Sequence, residues 1–137
     1  MISQLSIFAE NKKGAMSAIT NILSEAGISI HSFVTNDSAE FGIIRMIVSD
    51  TEKAGRLLAE AGYQLKRTAV MAITVSDEPG SLGRLLKVIE TAYININYLY
   101  TSFDRESGSP VIVIHAEDMT ELEIMLTSHG YVCRKNP

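Results

Sequence analysis

A chain of 137 residues, 46% apolar, is long enough for one domain or two small ones, and its 16 acidic and 12 basic side chains leave a net charge of −4. Its basic residues form only isolated pairs such as Lys12–Lys13 and Arg134–Lys135, which argues against a nucleic-acid partner, whose phosphates call for a basic patch. No apolar run approaches the roughly 18 residues of a membrane span, the start "MISQLSIFAENKKG" lacks the features of a signal peptide, and a single Cys133 excludes a disulfide framework or thiolate metal cluster. The expectation is a soluble, cytoplasmic protein with no membrane partner.

Leu5, Ile7 and Ala9 alternate with other residues and predict a strand with one buried face. After the loop "ENKKG", Met16, Ile19, Ile22, Leu23 and Ala26 recur at helical spacing, and Gly27 stands where a helix-ending glycine is expected. "ISIHSFVT" and "FGIIRMIVS" predict two strands around the polar turn "NDSAE". "TEKAGRLLAEAG" predicts a second helix and "YQLKRT" a last strand. The second half repeats this order. Met71, Ile73 and Val75 make a strand, the loop "SDEPG" leads into a helix on Leu82, Leu85, Leu86, Ile89 and Ala92, and "INYLYTSF", "PVIVIHA", "DMTELEIMLTSHG" and "YVCR" follow.

The two halves align residue by residue. An offset of 66 places Gly14 on Gly80, Ile7 on Ile73 and Leu23 on Ile89; it grows to 68 by Asp50 and Asp118, the extra residues falling in the turn "DRESGSP". The fold class is therefore α+β: two ferredoxin-like βαββαβ units in tandem, residues 1–68 and 69–137, each an antiparallel sheet with its helices on one side. A unit this small buries only about 60% of its unfolded surface, and the linker near "KRTAV" has no Pro, Gly or Ser tract. The units are expected to pack side by side, within one extended sheet.

The repeated strand–loop–Gly–helix junction carries the chemistry. A helix N-terminus leaves amides unpaired and favours an anion, and glycine admits a ligand close to the backbone. Asn11 and Asp77 each precede the glycine by three, and their oxygens can accept from an ammonium group. Carboxylate at the amides and ammonium at the Asn or Asp oxygen describe a free amino acid; the alternative is that Asn11 and Asp77 only shape the turn. Ser29 and Asn95 are polar positions at the start of the next strand, expected near the glycine loop, or else ordinary exposed strand residues.

"SDEPGSLGRLLKVIETAYINI" and "AENKKGAMSAITNILSEAGISIHSF" resemble the opening of an ACT domain, and the doubled pattern resembles the stand-alone tandem-ACT, amino acid-binding proteins of bacteria. The resemblance implies a non-catalytic sensor whose ligand lies where ACT units meet. Carried over by position, it nominates Asn11, Gly14, Ala15, Ser29 and Ile30 in the first unit, and Asp77, Gly80, Ser81, Asn95 and Ile96 in the second. It implies an amino acid ligand, a homodimer and a partner metabolic enzyme, with no cofactor and no metal. Lys13 replaces the family's usual proline, Tyr93 its common glycine, and Ser29 its common Asn or Asp. Either one site has lost binding or the two differ in ligand, and the charge on Asp77 favours a cationic group at the second loop.

An enzyme would need a nucleophile–base pair, paired carboxylates or metal ligands. His31 and His115 fall on strands without close partners in sequence, His129 suits a helix C-terminus, and Cys133 suits a small buried position. Phosphate-loop and dinucleotide motifs are absent. Tyr98 and Tyr100 share a parity with Ile94 and Ile96 and are expected in the core, with Phe33 and Leu99 on the open face as an apolar patch. The reading from another class is a ligand-free interaction module that assembles with a partner enzyme; a small-molecule enzyme is a third.

Overall fold

The computed structural model describes residues 1–10, 12–36 and 41–137, with only the backbone of Phe41. The chain divides into two compact units, Ser3–Thr68 with Pro137, and Ala69–Asn136 with Met1–Ile2.

In the first unit the elements are β1 (Ile2–Glu10), α1 (Ala15–Glu25), β2 (Ile30–Thr35), β3 (Phe41–Val48) and α2 (Thr51–Glu60). β3 lies between β1 and β2 and is antiparallel to both. Strand β4 (Gln64–Thr74) ends this unit and begins the next, joining the expected "YQLKRT" and "AVMAIT" strands without a break. Within the first unit, Arg67 Nε donates to Ser3 Oγ at 3.3 Å, so the start of β4 reaches the start of β1. Alternation sends Leu5, Ile7 and Ala9 from β1 and Ile44, Met46 and Val48 from β3 to one face, where Ile19, Leu23, Ala54 and Leu58 close the core.

The second unit adds α3 (Ser81–Thr91), β5 (Ile96–Phe103), β6 (Pro110–Ala116) and α4 (Met119–Ser128), with β6 antiparallel to both β4 and β5. Met71, Ile73, Val75, Ile112 and Ile114 pack beneath Leu85, Ile89, Leu122 and Leu126. The strand registers agree with the sequence offsets: Ile7 pairs with Ile44, and Ile73 pairs with Ile112.

Two expectations change. "YVCR" is no strand; it makes a single bridge, Cys133 to Ile73, reinforced where Arg134 N–H donates to Ala72 O at 2.8 Å. The Arg134 guanidinium also reaches Asp104 Oδ1 at 3.0 Å, so the tail is held by one backbone bridge and an ion pair instead of a full ladder. Second, both β2 and β5 carry an irregularity at the same repeat position, between Ile30 and Ser32 and between Ile96 and Tyr98. An extra residue in one strand reverses the faces of all that follow. Phe33 and Leu99 therefore pack on the two cores, while Tyr98 turns away and stacks on His115 with centroids 5.1 Å apart.

Candidate ligand-binding site

Helices α2 and α4 begin in an ordinary way. Asp50 Oδ1 accepts from Lys53 N–H at 3.1 Å and Asp118 Oδ1 from Glu121 N–H at 2.9 Å, and each first turn holds a glutamate. Helices α1 and α3 do neither. Their N-cap residues are Gly14 (φ 85°) and Gly80 (φ 92°), in the left-handed region where a Cβ is strained. Among the described residues no side chain caps them, and no acidic residue enters the first turn.

The turn itself takes up one amide of each. Ala15 N–H donates to Lys12 O and Ser81 N–H to Glu78 O, both at 3.2 Å. The amides left without an acceptor among the described residues are those of Met16 and Ser17, and of Leu82 and Gly83. An anion approaching either helix would meet these, one step beyond the amides that position alone nominates.

The surroundings of the two loops differ. Around the first are exposed Lys12 and Lys13, with Lys12 Nζ 3.3 Å from Glu10 Oε2. An open cleft of about 660 Å³ runs along Gly14, Ala15 and both lysines to Tyr63, and one of about 340 Å³ lies on the other side of Ala15. Asn11 lies outside the described residues. In the second loop Ser76 Oγ and Ser81 Oγ are 2.5 Å apart, and Arg84 Nη2 donates to Ser81 Oγ at 3.4 Å. A Cβ at Gly80 would come within 2.9 Å of Arg84 Nη1, so the guanidinium lies over the glycine.

Asp77 is exposed and makes no hydrogen bond or ion pair among the described residues. A turn-shaping aspartate looks different. Asp104 accepts from Ser107 N–H at 3.0 Å and from Ser107 Oγ–H at 2.6 Å. These bonds, with Arg134 beside them, hold the Asp104 carboxyl below the usual range.

Ser29 and Asn95 do not lie near the glycine loops of their own units. β1 and β2 are both antiparallel to β3 and so run the same way; the loop leaves the far end of β1, whereas Ser29 precedes the near end of β2. The 11 residues of α1 separate them, about 16 Å of helix. Ser29 and Ile30 line their own polar cleft of about 560 Å³ with Ser17, Thr20, Asn21 and Ser24, and Ser29 is tied to Ser49 by two bonds of 2.9 Å. Asn95 and Ile96 follow the same topology after α3. Arg84, Ser76 and Glu10 were missed by sequence reasoning. A cation in the opening turns of α3, against the helix dipole, was the signal that could have found Arg84.

The remaining reactive groups have structural partners. His129 caps α4, its Nδ1 2.9 Å from Met125 O. Burial pushes the Cys133 thiol up, and the Glu123 carboxylate adds to the shift. Among the described residues no three His, Cys, Asp or Glu come together as a metal site requires, and no helix is long and apolar enough to cross a membrane.

A family model described as an ACT domain pair matches residues 1–136. Among solved structures, protein BT0572 from Bacteroides thetaiotaomicron is similar over 97% of this chain and 91% of its own, at 28% identity and a TM-score of 0.89. The ligand-free regulatory subunit of aspartate kinase from Thermus thermophilus shares the fold at 15% identity and a TM-score of 0.65, over 93% and 92%. Escherichia coli aspartokinase III in complex with lysine and aspartate matches at 15% and 0.52, over 92% of this chain and 30% of that one. None of the curated proteins compared matches. With the doubled βαββαβ fold and both glycine junctions in place, the chain belongs to the family of ACT domain pairs.

Proposed function

We propose that this protein is a non-catalytic sensor that binds a free amino acid at its glycine loops and regulates a partner enzyme. The observation that carries the reading is the contrast among the four helices. α2 and α4 are capped by aspartates, while α1 and α3 start on left-handed glycines with unclaimed amides. Those amides would take the ligand carboxylate, and Asn11 or the unengaged Asp77 its ammonium. Ser29, Ile30, Asn95 and Ile96 lie too far from the loop of their own unit, so they would complete a site only on another ACT unit, and a homodimer is the assembly proposed to supply one. Regulation then follows if the ligand favours one arrangement over another, since only differential affinity shifts such an equilibrium. The relation to aspartate kinase regulatory subunits supports a metabolic enzyme as the partner.

A ligand-free interaction module is the second reading, favoured by the second loop: Ser76 and Ser81 bond to each other and Arg84 covers Gly80. Calorimetric titration of the full chain with each of the twenty amino acids decides between them. Binding of one, weakened at least tenfold by Asp77→Ala or Asn11→Ala, supports the sensor and identifies the unit that holds it. No heat from any amino acid, with the protein folded, leaves the interaction module.

A further inference from the structure

The two units differ where the sheet meets the glycine loop. In the first, Ala9 pairs with Gly42 at the end of β1 and β3. The equivalent pair in the second is Val75 with Pro110, Val75 N–H donating to Pro110 O at 3.0 Å. Two small residues thus stand where the second unit has two bulkier ones, and over them opens the cleft of about 340 Å³ beside Ala15. Its volume is at the low end of small-molecule pockets.

Nothing in the backbone explains Gly42. Its φ is not positive, and among the described residues a Cβ there would meet only Asn36 O at 3.5 Å, an ordinary contact. Glycine inside a strand weakens it and often marks a bulge, a bend or a place where a ligand or backbone approaches closely. Part of the cleft wall is apolar, with Ile44 buried and Met16 50% exposed on the first turn of α1, while Thr35 and Asn36 add polar groups beside Gly42. The rim is charged, with Glu10 and Lys12 paired at 3.3 Å, both largely exposed. An α-amino acid can exchange into that pair, its carboxylate on Lys12 and the free amides of α1, with Glu10 adding a carboxylate to the ammonium acceptor already assigned to this loop.

We propose that this cleft is a side-chain pocket present in the first unit alone, selecting an α-amino acid with an aliphatic or thioether side chain of about leucine or methionine size. The inference rests on the reading that the glycine loops bind amino acids. The test is calorimetry on the full chain with leucine, methionine and alanine, repeated on Gly42→Ala, Ala9→Val and the half-exposed Met16→Gln. Leucine or methionine is expected to bind at least tenfold more tightly than alanine, and each variant to erase most of that preference. Met16→Gln and Gly42→Ala guard against a folding failure at Ala9. Equal binding of leucine and alanine, or a preference untouched by all three variants, overturns the pocket while leaving the sensor standing. Absence of binding by all twenty amino acids removes the sensor reading and this one with it.

Discussion

The loops before α1 and α3 have nearly the same backbone and almost nothing else in common. Gly14 and Gly80 share φ values of 85° and 92°, and the bond that closes each turn is 3.2 Å long in both. Around the first stand Lys12, Lys13 and the small residues Ala9, Ala15 and Gly42; around the second, Asp77, Glu78, Ser76, Ser81 and Arg84. At these two junctions, unlike those before α2 and α4, the chain enters the helix through a left-handed residue, a conformation that favours glycine at both repeat positions. The side chains beside the turn carry little of the packing and are free to diverge. Equivalence of the scaffold with divergence of the rim separates what the duplicated fold demands from what it leaves free.

Equivalence is most severely tested in the cores. Ile7 and Ile73 occupy the same repeat position and are both fully buried. Ile7→Ala and Ile73→Ala should each destabilise their unit by about 2–5 kcal/mol, through lost burial and the cavity left behind. Urea unfolding followed by probes in each unit measures both. A gap between the two larger than about 2 kcal/mol would break the claim that the cores are equivalent.

The helix starts come next. Asp50→Ala and Asp118→Ala should each cost about 1 kcal/mol, because each removes an acceptor from a first-turn amide. Unfolding of the two variants beside the parent protein would reveal the loss. If neither substitution mattered, the contrast between capped α2 and α4 and uncapped α1 and α3 would lose its force.

The helices' ends sharpen the comparison further. Gly27 closes α1 with φ 72°, and its equivalent Tyr93 closes α3 with φ 57° while 97% exposed. Tyrosine in this region is strained, and a side chain so exposed recovers little by packing. Tyr93→Gly should stabilise the second unit by about 0.5–1 kcal/mol, visible as a rise in Tm. A fall would mean that the ring holds something the strain is spent on.

Much of this was legible in the sequence because periodicity and repetition reinforce each other. The strands of Ile96–Phe103 and Pro110–Ala116 and the four helices follow from apolar spacing, from the repeat and from terminal glycines such as Gly27. The faces of Tyr98 and Phe33 were not legible: one additional residue reverses a strand's parity, and neither His31 nor Asn97 announces an irregularity by its type. The glycine loops were identified from the repeated strand–loop–Gly–helix junction, yet their link to Ser29 and Asn95 was misplaced. Strand direction, and not proximity along the chain, decides which loop a residue faces. The Ala9–Gly42 gap needed the register before its contrast with Val75–Pro110 had meaning.

The smallest effect concerns how each unit ends. The first runs on into β4, whereas the second closes through one bridge and the contact of Arg134 with Asp104. Ser107 and then Arg134 lower the Asp104 carboxyl below its ordinary value. A lowered folded-state value means that the contribution is fully present above the unfolded value of about 3.9 and is lost as pH falls through the folded one. Acid should therefore loosen the tail of the second unit and leave the strand ending the first unaffected by this route. Hydrogen exchange at the Arg134 amide, bonded to Ala72 O at 2.8 Å, reads the tail directly. Its protection factor should fall as the pH drops below about 4, and Asp104→Asn should remove that dependence. A protection factor flat across the range in the parent protein would mean that the bridge at Cys133 holds the tail without the ion pair.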